Sequence, residues 1–135
     1  MSNLVFRKGA FPGGASFAFE QWLFHIPAFL QLQAAHGWHA YYAIDEEDQC
    51  IHATFPVHVN GDEALSPYRS TFGAAQCSAR IPVEQQMQFL RFVLQDLNEA
   101  GAKRLVVKLP AMCYDQVSVQ MLATLLFNLD FQLTV

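Results

Sequence analysis

An α/β (or α+β) domain with a mixed central sheet flanked by helices is the fold class this sequence predicts. Three observations lead there. Residues 38–45 are aromatic-rich and residues 51–59 alternate cleanly, with the charged turn Glu46-Glu47-Asp48-Gln49 near their junction, as in an antiparallel hairpin. Residues 82–100 carry Val83, Met87, Leu90, Leu94 and Leu97 at alternating four- and three-residue steps, the period of an amphipathic helix. From there on, helix and strand candidates alternate, which implies right-handed crossovers and parallel neighbours in the sheet.

The elements follow in order. Leu4 to Lys8 is a short strand candidate. Gly9, Pro12, Gly13 and Gly14 make the next stretch a loop. Ser16 is placed to cap a helix, with Glu20 in its first turn. The apolar stretch from Phe17 to Ala35 is split by Pro27, which removes a donor and clashes with a preceding turn. This predicts a short helix or turn up to Ile26 and a helix from Pro27 to about Ala35, ended by Gly37. Trp38 to Asp45 and Ile51 to Val59 are strands. In the second, Ile51, Ala53, Phe55, Val57 and Val59 share one face, and His52, Thr54, Pro56 and His58 the other. Pro56 cannot donate to a ladder, so the strand is bulged there or open on one side. Asn60-Gly61-Asp62 is a hairpin turn, and Glu63 to Ser66 returns as a third strand. Pro82 and Glu84 suit the start of the long helix, and Gly101 its end. Leu105 to Leu109 is a short, mostly apolar run, as in a strand covered on both faces. Asp115 caps a last helix through Asn128, and Phe131 to Val135 alternate as a final strand.

The chain has 135 residues, enough for one domain with its own core. Hydrophobic residues make up 53% and charged ones only 15%, below the quarter usual in soluble domains. With twelve Phe, this points to apolar surface held for a subunit or domain interface. The net charge of −4 argues against a nucleic-acid partner. No apolar run is long enough to span a membrane, and the start Met1-Ser2-Asn3-Leu4 lacks the features of a secretory signal. The expected location is the cytoplasm. Cys50, Cys77 and Cys113 are odd in number and far apart, which argues for reduced thiols rather than a disulfide framework or a zinc knuckle.

Several local motifs are specific. Leu23-Phe-His-Ile-Pro-Ala-Phe29 resembles the F-H-S-P-x-F entry segment of FemAB-like proteins. Ser66-Pro-Tyr-Arg-Ser-Thr-Phe-Gly73 resembles their S-P-[FY]-R-x-x-F-G signature. Leu97-Asn-Glu-Ala-Gly-Ala-Lys-Arg-Leu105 is similar to their L-K-x-x-G-x-K-K-[IL], and Pro110 with Tyr114 and Asp115 to a P-x-x-Y turn. Leu125-Leu-Phe-Asn-Leu-Asp-Phe131 resembles the L-L-x-x-L-G-F close of a GNAT helix–strand unit, with Asp130 at the glycine position. The element order is similar to that of the GNAT acyltransferase fold. The resemblance spans about residues 20 to 135 and implies the N-terminal half of a FemAB-like (GNAT superfamily) acyl- or aminoacyl-transferase. Such proteins carry two GNAT-like halves and work at a cleft between them, so a lone half is not expected to be catalytic. The resemblance implies acetyl-CoA or aminoacyl-tRNA as donor for a full-length enzyme and no cofactor for this chain alone. It leaves as alternatives a non-catalytic binding or assembly module and an autonomous N-acetyltransferase. The expected partner is a second GNAT-like domain or a second copy, the latter through the C-terminal strand or the Phe17–Phe29 region.

The candidate site is the stretch Leu65 to Ala74, which joins the strand-rich half to the helical half. Its candidate ligand-binding residues are Ser66, Tyr68, Arg69, Phe72 and Gly73. Arg69 carries a planar fork suited to a carboxylate or phosphate; the alternative is a surface arginine stacked on an aromatic ring. Ser66, Ser70 and Thr71 are hydroxyl nucleophile candidates without a recognisable strained turn. GNAT enzymes bind pyrophosphate on a [QR]-x-x-G-x-[GA] strand-to-helix loop. The junction Gly73 to Pro82 does not match it, and Pro82 removes a donor. The five histidines show no metal-ligand spacing.

Overall fold

The computed structural model describes residues 4–22, 25–68, 73–110 and 116–131. Among the described residues a seven-stranded mixed sheet carries three helices. The strands are β1 (Leu4–Lys8), β2 (Ser16–Phe17), β3 (Trp38–Asp45), β4 (Cys50–Asn60), β5 (Glu63–Ser66), β6 (Gln76–Cys77) and β7 (Arg104–Val107). The helices are α1 (Pro27–Gln33), α2 (Val83–Glu99) and α3 (Gln116–Asn128). The main path of the sheet is β1-β3-β4-β5-β7, with β2 and β6 also paired to β4. All neighbours on that path are antiparallel except β5 and β7, which run parallel and are joined through α2.

The hairpin forms as its pattern dictates. Tyr41 faces Phe55 and Ala43 faces Ala53 across β3 and β4. These side chains meet Phe89, Leu90, Val93 and Leu97 of α2 and Leu122, Leu125 and Leu126 of α3 in one buried cluster. Each of the Phe, Leu and Val side chains among them, once buried, contributes about 1.5–3 kcal/mol. Phe6 of β1 lies with its ring centroid 5.6 Å from that of Phe89 and extends the same cluster. Gly61, at φ +65°, supplies the left-handed residue that the β4–β5 turn requires.

The other face of the sheet is covered by the N-terminal segment, and here the structure corrects the sequence reading. Ala43 pairs with Ala53, yet Ile44 pairs with Ile51, so His52 is an extra residue in β4. This bulge reverses the alternation. Ile51 therefore leaves the face of Ala53, Phe55 and Val57 and joins Tyr42 and Ile44, under Phe11, Ala15 and Phe17. Ser16 caps no helix. It sits in β2 opposite Cys50, its N–H donating to the Gln49 carbonyl at 3.0 Å. The edge of β4 at residues 50 and 51 offers backbone partners there, and Phe17 gains a buried contact that a surface helix would not give it.

Pro27 does open α1, which is only seven residues long. β7 is half-buried and, among the described residues, forms an edge of the sheet. Asp115 and residues 132–135 of the expected last strand lie outside the described residues. Among the described residues no helix is long and apolar enough to cross a membrane.

Candidate functional site

The stretch singled out in the sequence is an extrusion from a strand. β5 and β6 both pair antiparallel with the same edge of β4. His58 faces Leu65, so in an unbroken strand Thr54 would face position 69. It faces Gln76 instead, seven positions further on. β5 and β6 are thus two pieces of one interrupted strand: the chain leaves β4 after Ser66, at the carboxyl end of the parallel β5–β7 pair, and pairs with it again at Gln76. Pro56 of β4 lies opposite the interruption and points its carbonyl toward Ser66. In an extended strand the missing N–H of Pro56 faces the same way, so this is the open side that a proline requires.

The base of the extrusion is closed by named bonds. The Ser66 hydroxyl donates to the Pro56 carbonyl at 2.6 Å and accepts the Ala74 N–H at 2.8 Å. The Gly73 N–H donates to the Lys108 carbonyl at 3.0 Å, and the Lys108 N–H to the Ser66 carbonyl at 2.9 Å. Gly73 has no side chain because there is no space for one: a Cβ would lie 2.6 Å from the Ser66 carbonyl carbon, Ser66 Oγ and the Pro67 nitrogen. Ser66 is fully buried. Its proton goes to a carbonyl rather than to a base, so it acts as a clamp and not as a nucleophile. We expect Ser66→Ala to leave a buried N–H and a buried carbonyl each short of a partner, lowering stability by roughly 2–4 kcal/mol in urea unfolding.

Above the base, the Tyr68 ring stacks on His58, centroids 3.8 Å apart and planes 18° off parallel. Trp38 meets the same imidazole edge-on at 5.3 Å. His58 Nε2–H donates to the His36 carbonyl at 3.1 Å. Gly37, at φ +92°, leaves the room: a Cβ there would lie 2.7 Å from His58 Nε2. Of the five candidate site residues, Ser66 and Gly73 therefore meet at the base and Tyr68 stands over it. Arg69 and Phe72 lie outside the described residues, as do Ser70 and Thr71.

Three residues the motifs did not single out for a role complete the constellation. His25 is buried against the base. The Gly73 carbonyl only accepts, so His25 Nε2 carries the proton and donates to it at 3.4 Å; Nδ1 then accepts from the Thr54 hydroxyl at 2.9 Å. Burial, partly offset by the Gly73 carbonyl, lowers the His25 pKa to about 4. Gln76 accepts the Trp22 N–H at 2.8 Å and donates to the Glu20 carbonyl at 2.7 Å. His25 and Gln76 thus dock the N-terminal segment onto the extruded loop. Thr54 was visible only as a polar residue on the second face of β4, and the contacts of His25 and Gln76 span 29 to 56 residues of sequence.

A pocket of about 170 Å³ lies beside this junction, between β6, the first turn of α2 and the first turns of α3. Trp22, Cys77, Ile81, Met121 and Leu122 form much of its wall. Cys77 and Cys50 are free thiols, as expected, while Cys113 lies outside the described residues. Burial of the Cys77 thiol pushes its pKa up to about 12, so it remains protonated and unreactive at neutral pH. Among the described residues no group of His, Cys, Asp and Glu is arranged to hold a metal ion.

What this arrangement does well is hold a shaped loop. Among the described residues, the buried donors and acceptors of Ser66, His25, Thr54 and Gln76 are spent on protein partners. No family model matches the chain, and comparison with curated proteins and with solved structures finds no match.

Proposed function

We propose that this chain is a GNAT-like half-domain of FemAB type, the N-terminal half of a cytoplasmic acyl- or aminoacyl-transferase that acts with a second domain and is not catalytic alone. The observation that carries the reading is the extruded loop at the carboxyl ends of parallel β5 and β7. Open α/β sheets bind ligands outside the carboxyl ends of their strands. In this reading Ser66 and Gly73 fix the loop, Tyr68 is presented by it, and Arg69 and Phe72 complete a surface for an anionic group at the cleft between two halves. The satisfied hydrogen bonds of Ser66, His25 and Gln76 support a binding role over a catalytic one.

A second reading, a non-catalytic assembly module that pairs with another copy, is favoured by α3. That helix has no charged residue and leaves Val117 and Phe127 about three-quarters exposed. The two readings separate on the transcript. An in-frame second GNAT-like segment beyond Val135 supports the transferase half, and a stop codon directly after Val135 removes it. For the isolated chain we expect no heat of binding on titration with acetyl-CoA in a calorimeter. A micromolar affinity would instead favour an autonomous acetyltransferase.

A further inference from the structure

A GNAT fold implies a pyrophosphate of acyl-CoA at the first turn of α2, and the residues present there do not fit one. Pro82, at the start of α2, has no N–H to offer. Glu84, in the first turn, already places a carboxylate on the positive end of the helix dipole. Among the described residues no charged side chain lines the adjoining pocket. Its polar side chains are turned inward: the Gln86 amide donates to the Ile81 carbonyl at 3.0 Å, and the Ser78 hydroxyl accepts the Arg80 N–H at 3.1 Å. Cys77 contributes a protonated sulfur, which behaves as an apolar wall. Val83 and Val117, 46% and 75% exposed, add apolar surface to the lining.

We infer that this pocket binds a compact, uncharged apolar group, a single aromatic ring or a branched aliphatic chain, in place of a nucleotide phosphate. The size agrees. An apolar cavity of about 150 Å³ stays dry and takes benzene, so about 170 Å³ accommodates one ring with a short substituent. The charge agrees as well, since an anion would find no cation among the described residues of the lining. The pocket's chemistry stands whether or not a second half-domain exists.

Amide and methyl NMR spectra of the labelled 135-residue chain test this, with indole as the neutral probe and inorganic pyrophosphate and acetyl-CoA as the anionic ones. Indole is expected to shift the Cys77, Ser78 and Gln86 amides and the Met121 methyl together, saturating in the millimolar range. Val117→Trp and Met121→Trp, each checked for folding by circular dichroism, should weaken that binding at least fivefold by filling the space. Saturable shifts of the same signals by pyrophosphate or acetyl-CoA would overturn the inference. So would indole shifts that scatter over the surface without saturating, or that survive both substitutions unchanged.

Discussion

Gly73→Ala should lower the unfolding free energy by roughly 3 kcal/mol or more, the upper range for overpacking a filled site. The added methyl would come within 2.6 Å of three atoms, two of them backbone. None of the three can yield easily. Ser66 Oγ is held from both sides by the Pro56 carbonyl and the Ala74 N–H. The Ser66 carbonyl is held by the Lys108 N–H, and the residue pairs with Val107 in the sheet. The effect is steric and not conformational, because Gly73 has no positive φ. Gly13 makes the control: it too lacks a positive φ, and a Cβ there meets nothing within 4 Å. Gly13→Ala should change stability by less than about 0.5 kcal/mol. Urea titrations of the two variants decide the matter through their midpoints at equal slope. If Gly73→Ala unfolds at the same urea concentration as Gly13→Ala, the loop base is not the rigid clamp described above.

The same base shows what the sequence could and could not reveal. The regular elements were legible because periodicity is a local signal. Residues 83–99 announce α2 by their apolar spacing, and residues 38–60 announce β3 and β4 by alternation and a turn. The position of the loop was legible as well, since Ser66, Pro67 and Gly73 are turn formers between two kinds of pattern. β2 and β6 were not, because a two-residue strand has no period to detect. The bulge at His52 was hidden for a related reason. A clean alternation from Ile51 to Val59 gives no sign that one residue will be left unpaired, and the slip is decided by how Ile44 and Ile51 pack under Phe11 and Phe17. Stacking of Tyr68 on His58 and the polar ties of His25 and Gln76 depend on contacts across ten to 56 residues. Sequence spacing alone carries no information about such pairs. The parallel β5–β7 pair, by contrast, follows from the chain order of strand, helix and strand.

Acidification should release the N-terminal segment from that base, and His25 sets the pH at which it does so. The unfolded chain has an ordinary histidine with a pKa near 6.5, and the fold lowers it to about 4. The neutral imidazole is the form the structure holds, with Nδ1 accepting from Thr54. A proton on Nδ1 would turn that acceptor into a second donor and bury a charge that no carboxylate among the described residues offsets. Between pH 6.5 and pH 4 the unfolded state therefore binds more protons than the native one, and stability falls as pH falls. The contribution is fully present above pH 6.5 and is lost progressively toward pH 4, amounting to about 3 kcal/mol for this one group. His39 and His52 have pKa values lowered chiefly by burial as well, so wild-type data alone will not isolate His25. His25→Gln will, because an amide keeps one donor and one acceptor and does not titrate in this range. Its stability at pH 7 should be lower than wild type, and its further loss between pH 6.5 and pH 4 should be smaller by about 3 kcal/mol. If His25→Gln does not fold, the ring Cε1–H resonance of His25 in the native protein gives the same answer directly. A titration midpoint near 6.5 in the folded state, or equal pH slopes for wild type and variant, would mean that the imidazole is hydrated and does not hold the loop base to residues 20–25.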